Sequence, residues 1–417
     1  MLPSHHQAAN HDVRMRGFEK RVSVEQAIAW SDSALPALET EKVVLNQLAG
    51  RVLAEAITSE VDVPGFDRGM MDGFAVRAED LKVATVSEPV ALHVVGEVYP
   101  GEPYSGALSS GHAIQMMTGA PLPRGADTVL PVENVELKDD YIVVSSPVVT
   151  GKHVGLTGED VTSGTKVLPT GRRLRPQDIG LLASIGIDEA KVFYKPKVHL
   201  VTTGNELLPA GTPPKDYLIS DANSPMLRAL SERDGAQVTS AGIVPDDPEH
   251  ILAAIAAEAD IVIVSGGSSV GVEDHVPQLL AKHGILGVHG VAMRPSSPLG
   301  IGTLGRRLVF LLPGNPVSCL CGYDFFAGRA IRQLTGQGTD WPYRKLNLPL
   351  QEPIASVPGR KDYVRVQLKQ DAIVKVSPHG ASALYSAVRA DGFVLIPEEV
   401  ESLKVGERVT VYLYGPL

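Results

Sequence analysis

The chain has 417 residues, of which 44% are hydrophobic, and a formal net charge of −10. This length predicts two to four domains, because one hydrophobic core rarely serves more than about 250–300 residues. The mean hydropathy is close to zero and no apolar run reaches the roughly 20 residues of a membrane span, so we expect a soluble protein that does not bind a membrane. The negative charge and the lack of a basic stripe argue against a nucleic-acid partner.

The start of the chain and its cysteines both indicate a cytoplasmic protein. Residues 1–20 lack the apolar segment of a signal peptide and are predicted to be a disordered leader. Cys319 and Cys321 are two positions apart in a predicted helix and point to different faces. This spacing fits neither a disulfide nor a metal site, so we expect two buried thiols in a reducing compartment.

In the first half of the chain, the sequence pattern predicts one helix before and one helix after a β-rich region. The segment SVEQAIAWSDSA (23–34) reads as a helix with Ser23 and Gln26 in capping-box positions. Between residues 61 and 150, short β-type segments alternate with Gly/Pro turns, which predicts a small β domain. The segment RPQDIGLLASIGI (175–187) predicts the next helix.

From residue 196 strand-like and helix-like segments alternate, which is the pattern of a parallel α/β sheet with helices on both faces. The predicted strands are KVHLVTT, AQVTSAGIV, DIVIVSGG, LGVHGVAMR, LGIGTL and RLVFLL, and a long helix is predicted over residues 315–334. After residue 337 the chain returns to β-type segments, which predict a small barrel or sandwich.

Four strand ends in the α/β region carry unusual loops. They are TGNE (203–206), SGGSSVG (265–271), MRPSSP (293–298) and LPGNPVS (312–318). Ligands of open α/β sheets bind outside the carboxyl ends of the strands, and glycine loops that enter helices present N–H groups to an anion, most often phosphate. The alternative is that these glycines serve only tight connections.

Three carboxylates are expected along the same edge, namely Glu206, Asp221 and Asp274. Mg²⁺ is usually held by one or two carboxylates together with phosphate oxygens, so these residues are candidate metal ligands, although each could be a solvated loop charge. Arg294 is either a bidentate ligand for an oxyanion or a surface ion-pair residue.

Several motifs follow one another along the chain, and as an ordered set they are specific. They are VPGFDRGMMDGFAVR (63–77), MTGAPLP (117–123), GEDVTSG (158–164), TGNELL (203–208), SDANSPML (220–227), SGGSSVGVEDH (265–275), LPGNPVS (312–318) and GRKDYVRV (359–366). From about residue 20 to the C-terminus, the chain resembles the MoeA / gephyrin E-domain family of molybdenum insertases.

The resemblance implies a multidomain α/β plus β fold around a central parallel α/β domain of the MoaB/MogA type. The implied segments are a leader (1–20), a discontinuous, elongated N-terminal linking domain (21–62 and 147–192), an inserted small β domain (63–146), the α/β molybdopterin-binding domain (193–337) and a C-terminal β-barrel (338–417).

The implied activity is that of a cytoplasmic transferase of molybdenum cofactor biosynthesis. Such an enzyme inserts molybdate into adenylylated molybdopterin, and Mg²⁺ assists the release of AMP as a Lewis acid. The family is homodimeric, which implies that Asp72 and Thr118 reach the site of the partner chain.

Carried over residue by residue, the resemblance implies two sets of site residues. The catalytic candidates are Asp274, Glu206, Asp221 and Asp72, and the first three are also the candidate metal ligands. The substrate-binding candidates are Thr118, Asp160, Gly266, Gly267, Ser269, Gly271, Arg294, Ser297, Pro298, Ser318, Arg360 and Arg365. Among these, Pro298, Ser318 and Arg360 correspond to the family's oxyanion pocket, and Arg365 is expected beside them.

The chain departs from the family pattern at charged positions. The family usually has KPGKP where this chain has RPSSP (294–298), so both lysines are absent. TGNE replaces the usual TGDE, and PHGAS (378–382) replaces GQGSG. Because charge-assisted hydrogen bonds are about twice as strong as neutral ones, we expect weaker molybdate binding unless Arg294 or Arg360 compensates.

These departures keep other functions open. A scaffold or binding paralogue of the family would tolerate the lost lysines, whereas an enzyme needs the acids Glu206, Asp221 and Asp274, which are present. A molybdopterin adenylyltransferase would share the SGG loop but lack the added β domains. The sequence does not separate molybdate from tungstate. The insertase is the leading hypothesis.

Overall fold

The computed structural model describes residues 21–267, 275–377 and 380–415. The described chain divides into two compact units. One unit contains the described residues up to Lys42, the segment Gly50–Ala54 and the described residues from Lys191 onwards. The other unit contains Val43–Ala49 and Glu55–Ala190.

The α-helices of the described residues are α1 (Val24–Ser33), α2 (Pro176–Ser184), α3 (Asn223–Arg233), α4 (Pro248–Ile255), α5 (Val276–His283), α6 (Pro316–Gly322), α7 (Gly328–Leu334) and α8 (Leu384–Val388). The predicted capping box of α1 is confirmed, because the backbone N–H of Gln26 donates to Ser23 Oγ and the Ser23 N–H donates to Gln26 Oε1. Among the described residues, no helix is long and apolar enough to cross a membrane.

The unit that includes Glu55–Ala190 is mainly β-structure, as the sequence predicts. Its six-stranded sheet has the order Thr128–Pro131, Gly73–Val76, His112–Met116, Val90–Val98, Tyr141–Val144 and Glu136–Lys138. Two short antiparallel pairs join Arg68–Gly69 to Val154–Gly155 and Ile57–Thr58 to Lys166–Leu168. Short 3₁₀ turns are formed by Leu45–Gln47, Ala78–Leu81 and Val132–Asn134. Two further strands, Thr40–Val44 and Glu189–Phe193, lie where the chain passes from one unit to the other.

The other unit contains a six-stranded sheet with the predicted α/β alternation. Its strands are β1 (Lys197–Thr203), β2 (Gln237–Val244), β3 (Ile261–Ser265), β4 (Ile285–His289), β5 (Gly300–Leu304) and β6 (Arg307–Leu312). The spatial order is β2-β1-β3-β6-β5-β4, and β2, β1, β3 and β6 run parallel. The buried side chains of β3, such as Ile263 and Val264, contribute to cores on both faces.

The prediction that this sheet is entirely parallel is wrong for one edge. Strands β4 and β5 are antiparallel to each other, and β5 is antiparallel to β6. Only Gly305 and Arg306 connect β5 to β6, and a parallel crossover requires a dozen residues or more. The predicted strand LGVHGVAMR also divides into β4 and Met293–Arg294, because Gly290 between them has φ +88°.

The C-terminal residues of this unit form a second sheet. Its strands are β7 (Arg344–Pro349), β8 (Lys361–Lys369), β9 (Ala372–Lys375), β10 (Gly392–Ile396) and β11 (Arg408–Leu413). The order is Met293–Arg294, β8, β10, β11 and β7, and β9 pairs with the other end of β8. Two further short pairs are Ile354–Ala355 with Ser402–Leu403 and Leu207–Leu208 with Ile219–Ser220.

A buried carboxylate links the long helical segment to this sheet. Between α6 and α7 the helix has π geometry over Tyr323–Ala327, and Asp324 in this segment is 2% exposed. Tyr343 Oη donates to Asp324 Oδ1 at 2.7 Å and Tyr363 Oη donates to Oδ2 at 3.2 Å. Burial outweighs these bonds and raises the pKa of Asp324 from 3.8 to about 6.

The substitution Asp324→Asn is expected to change how stability depends on pH. A raised carboxyl pKa means that the folded state binds the proton more tightly than the unfolded state does. The stabilisation that protonated Asp324 gives the folded state is therefore complete below pH 3.8 and is lost as the pH rises through about 6. Relative to Asp324→Asn, the wild-type free energy of unfolding should therefore fall by about 3 kcal/mol across that window. Urea denaturation of both proteins at several pH values measures the difference, and a constant difference would contradict the prediction.

Candidate functional site

A cavity of about 600 Å³ lies at the carboxyl ends of β1, β3 and β6. This is the edge at which the sequence analysis places the ligand. The residues that line the cavity are Thr202, Thr203, Gly204, Glu206, Leu207, Ile219, Ser220, Asp221, Ala222, Asn223, Asp246, Ser265, Gly266, Gly267, Pro298, Pro313, Gly314, Asn315, Pro316 and Ser382. The predicted residues Glu206, Asp221, Gly266, Gly267 and Pro298 are therefore together.

A second cavity of about 450 Å³ lies at the opposite edge of the same sheet, where Pro196 and Arg307 mark strand starts. Two of its charged residues have partners: Glu258 pairs with Lys197 at 3.1 Å, and Asp260 Oδ2 accepts from the Lys197 backbone N–H at 2.7 Å. Arg307 Nε donates to a backbone carbonyl at 2.6 Å. This cavity contains none of the predicted site residues, so the strand-end cavity is the candidate site.

Gly266 and Gly267 form a close approach between β3 and the end of β1. Their φ angles are +96° and +59°, a region that residues with a side chain rarely adopt. A Cβ on Gly266 would lie 2.4 Å from the Thr203 carbonyl oxygen, and one on Gly267 would lie 3.0 Å from Thr203 Oγ1. Thr203 Oγ1 is itself buried without a hydrogen-bond partner among the described residues. The backbone conformation and the close contact with Thr203 therefore favour glycine at both positions.

We expect Gly266→Ala to lower the free energy of unfolding by about 2–4 kcal/mol, since the Cβ clashes with backbone in addition to the φ strain. Gly211→Ala is the matched control, because Gly211 has φ +84° but nothing within 4 Å of its Cβ position. That variant should lose only about 1 kcal/mol. Chemical denaturation measures both, and equal losses would show that the close approach has no cost.

Asp221 organises the start of α3. Its Oδ1 accepts hydrogen bonds from the backbone N–H groups of Asn223 and Ser224, each at 3.0 Å, and its Oδ2 accepts from Ser224 Oγ. The side chain is 6% exposed. Both oxygens thus stabilise the N-terminus of the helix, which makes Asp221 a positioning residue at the cavity wall.

Asn223 joins three segments of the cavity, and the sequence analysis missed it. Its Nδ2 donates to Ser265 Oγ at 2.8 Å and to the Gly314 carbonyl oxygen at 2.7 Å. These bonds connect α3 to the end of β3 and to the loop before α6. Asn223 Oδ1 is buried and accepts no hydrogen bond from a described residue, so it is an acceptor that a ligand could use.

Two further carboxylates face the cavity, Glu206 and Asp246. Glu206 is exposed, and its carboxylate packs beside Gly204. Asp246 Oδ2 accepts from the Asn205 N–H at 2.9 Å. Asp246 was also missed, although it follows the carboxyl end of β2 and the strand-end rule applies to it. The described residues contain no group of three His, Cys, Asp or Glu placed to hold a metal.

The loop RPSSP (294–298) does not leave its arginine free. Arg294 pairs with Asp362, which is fully buried and also accepts from Ser356 Oγ at 2.8 Å. Ser296 has φ +82°, a conformation that the glycine of the family pattern adopts without strain. Pro298 lines the cavity, and Ser297 lies beside it as a half-buried residue.

Arg365 lies behind the segment that carries Ser382 into the cavity. The side chain is 2% exposed, and burial lowers the pKa of its guanidinium. Its Nη2 donates to the Gly380 carbonyl oxygen at 3.2 Å, while Nε and Nη1 have no partner among the described residues. The Val317 N–H donates to the Ala381 carbonyl oxygen at 2.9 Å, which fixes the same segment to the first turn of α6.

Two other predicted residues, Ser318 and Arg360, lie on or next to α6 and β8, but neither is among the residues that line the cavity. Ser318 is buried in the first turn of α6. Arg360 precedes β8, and its Nε is buried without a partner in the described part of the chain. Unpartnered guanidinium N–H groups are uncommon in protein interiors.

Asp72, Thr118 and Asp160 lie in the other unit. Asp72 Oδ1 accepts from the Thr118 N–H at 2.7 Å and from Thr118 Oγ1 at 2.8 Å, and these bonds lower the pKa of Asp72. Asp160 is exposed, and its backbone N–H donates to the Val63 carbonyl oxygen at 3.0 Å. The remaining predicted residues, Ser269, Gly271 and Asp274, lie outside the described residues.

Family models match three parts of the chain. Residues 22–186 match the MoeA N-terminal region (domain I and II), residues 199–333 match a probable molybdopterin binding domain, and residues 347–414 match the MoeA C-terminal region (domain IV).

Curated relatives and solved structures agree with these matches. The chain is 34% identical to molybdopterin molybdenumtransferase 2 of Mycobacterium tuberculosis over 383 residues, covering 89% of this chain and 94% of that protein. It is 35% identical to the molybdopterin molybdenumtransferase of Synechococcus elongatus over 385 residues, covering 90% and 94%. A crystal structure of the molybdopterin biosynthesis MoeA protein of Pyrococcus horikoshii has a TM-score of 0.79 at 33% identity, and covers 95% of this chain and 100% of that chain. The chain belongs to the MoeA family of molybdopterin molybdenumtransferases.

Proposed function

We propose that this transferase of molybdenum cofactor biosynthesis is a molybdenum insertase, which inserts molybdate into adenylylated molybdopterin and releases AMP. The observation that carries the proposal is the combination of the strand-end cavity with a buried, incompletely partnered guanidinium, Arg365, behind its wall. The cavity offers space for the pterin nucleotide, and the guanidinium offers N–H donors to a tetrahedral oxyanion.

The residues of this chain support a division of the site into two parts. The backbone N–H of Gly267 would bind a phosphate of the nucleotide at the cavity. The Gly266 N–H instead donates to the Leu312 carbonyl oxygen at 3.1 Å, and the first N–H groups of α3 donate to Asp221. Arg365, Arg360 and Ser318 would bind molybdate beside it. In this reaction water would cleave the P–O–P bond, so that AMP leaves and the pterin keeps its own phosphate. The two dithiolene sulfurs would bind molybdenum, and the molybdate oxygens that they displace would leave as water.

Glu206 and Asp246 are suited to hold Mg²⁺ together with the predicted ligand Asp274. When bound, Mg²⁺ would neutralise charge on the phosphoryl oxygens as a Lewis acid. Asp221 would act by holding the start of α3 in place.

We further propose that the protein acts in the cytoplasm as a homodimer with an inserted β domain and a C-terminal barrel, in which Asp72 and Thr118 of one subunit reach the site of the other. The two buried, unpaired cysteines are compatible with a reducing compartment. The two hydrogen bonds that Thr118 donates to Asp72 lower the pKa of this carboxyl and so favour its charged form.

The experiment is to measure AMP release from adenylylated molybdopterin with Mg²⁺, with and without molybdate. Release that increases with molybdate supports the insertase.

The second candidate, a binding paralogue without turnover, is favoured by the Arg294–Asp362 pair, which removes a cation from the pocket. Tight binding of the pterin nucleotide without molybdate-dependent AMP release would support that candidate and contradict the first.

A further inference from the structure

Strand β8 carries Tyr363 and Arg365 on the same face. Side chains two positions apart in a strand share a face, and here that face packs in the core shared with the α/β sheet, whereas Val364 belongs to a separate core. Phe393 of β10 is paired in register with Arg365, and the Tyr363 ring stacks on Phe393 with centroids 4.1 Å apart. Tyr363 and Arg365 therefore flank one phenylalanine ring.

The Tyr363 hydroxyl attaches this face of β8 to the helical segment that begins with α6. Tyr363 Oη donates to Asp324 Oδ2 at 3.2 Å, and Tyr343 Oη donates to Asp324 Oδ1 at 2.7 Å. Asp324 is buried in the π-helical segment Tyr323–Ala327. Since Tyr363 has one hydroxyl proton and gives it to Asp324, its 2.7 Å bond to Tyr414 has Tyr414 Oη as the donor.

Arg365 has few attachments of its own. Within the described parts of the chain its guanidinium makes one hydrogen bond, from Nη2 to the Gly380 carbonyl oxygen at 3.2 Å. Ser318 lies on α6, and the helical segment continues from α6 into Asp324. The placement of Arg365 relative to Ser318 therefore depends on how β8 is attached to this segment, and the bond between Tyr363 and Asp324 joins the two.

We propose that Tyr363 is a positioning residue for the oxyanion site: its hydroxyl, held by Asp324, fixes Arg365 on β8 relative to Ser318 on α6. The inference rests on the proposed function, which assigns Arg365 and Ser318 to the same anion. Tyr363 acts through Arg365 and does not touch the substrate. The role requires the hydroxyl, because a phenylalanine ring would stack on Phe393 but could not bind Asp324.

The test is calorimetric titration of the full chain with sodium molybdate and, separately, with AMP, for wild type and Tyr363→Phe. The titrations are made above the pKa of Asp324, which burial raises to about 6, so that the carboxylate is ionised. Binding groups must be held within about 0.5 Å of their working geometry, so Tyr363→Phe should raise the molybdate Kd about fivefold through weaker bonds from Arg365. The Kd for AMP should not change.

Two variants separate positioning from a loss of stability. Tyr414→Phe removes another hydroxyl of the same network but leaves the bond between Tyr363 and Asp324 intact. Tyr412→Phe removes a hydroxyl that makes no hydrogen bond within the described residues, from a ring that also stacks on Phe393. Both variants should bind molybdate within about twofold of wild type. Tyr363→Phe and Tyr414→Phe should both lower the thermal midpoint, so stability alone would affect molybdate binding in both.

A double-mutant cycle tests whether Tyr363 acts through Arg365. In the Arg365→Met background, Tyr363→Phe should cause no further increase in the molybdate KM for AMP release. A further increase there would show that Tyr363 acts independently of Arg365, and the inference would be wrong.

The remaining outcomes separate this inference from the proposed function. If Tyr363→Phe binds molybdate as tightly as wild type does, or if Tyr414→Phe weakens binding equally, the bond to Asp324 does not position the site, although the insertase proposal stands. If wild type neither binds molybdate nor releases AMP in response to it, the proposed function and the inference are both contradicted.

Discussion

Replacing Arg365 by methionine is expected to lower molybdate-dependent kcat/KM for AMP release by about 100-fold or more, because the proposed function assigns this guanidinium two charge-assisted hydrogen bonds to the oxyanion. The fold should tolerate the change. Nε and Nη1 have no partner among the described residues, and the side chain is buried beside Tyr363 and Cys321. Replacement of an incompletely paired buried charge by an apolar side chain of similar volume is often neutral or stabilising.

The experiment on Arg365 therefore has two readouts with different expected signs. The thermal midpoint of Arg365→Met should equal or exceed that of wild type, while the KM for molybdate increases. Arg344→Met is the matched control, since Arg344 is exposed at the start of β7 and should alter neither. A cooperative loss of stability in Arg365→Met without a change in molybdate KM would mean that the guanidinium is structural.

Replacing Asn223 by leucine is expected to lower the free energy of unfolding by about 2–4 kcal/mol and to weaken pterin-nucleotide binding at least tenfold. The change removes both Nδ2 bonds and leaves the Gly314 carbonyl oxygen without this donor. The loop before α6 and the start of α3 are then no longer joined, so the cavity wall loses its fixed geometry.

Asn205→Ala is the control for Asn223. Asn205 lies at the same edge but is exposed, and within the described parts of the chain its Oδ1 accepts only from the Asp246 N–H, at 3.3 Å. Its loss should cost about 1 kcal/mol or less. Denaturation and fluorescence titration with the nucleotide measure both variants. If Asn223→Leu and Asn205→Ala are equally mild, the link between the three segments does not determine the site.

Local signals in the sequence predict much of the fold. Ser23 and Gln26 have the spacing of a capping box and form one. The parallel strands were predictable from short apolar runs alternating with amphipathic helices, and the strand-end rule identified Glu206, Gly266 and Pro298 as neighbours. The antiparallel edge was missed because the composition of β4 and β5 resembles that of buried parallel strands; only the two-residue connection before β6 distinguishes them.

The residues that escaped prediction depend on partners far away in the sequence. Asn223 acts through Ser265 and Gly314, and nothing adjacent to it in the chain indicates these contacts. For Arg294 the sequence left open an oxyanion ligand or a surface ion pair, and it did not indicate Asp362 of β8, with which Arg294 pairs. Hydrogen bonding and charge pairing of this kind are tertiary properties, so a motif can identify the site but not the state of each side chain.

The central claim is that molybdate enters the site of this chain and is transferred to the pterin. The most direct measurement is to determine, in one reaction with adenylylated molybdopterin, Mg²⁺ and molybdate, both the AMP released and the molybdenum bound to the pterin product. The account predicts equal molar amounts of the two. AMP release without molybdenum on the pterin, or a stable complex of protein and pterin nucleotide that releases no AMP, would contradict it.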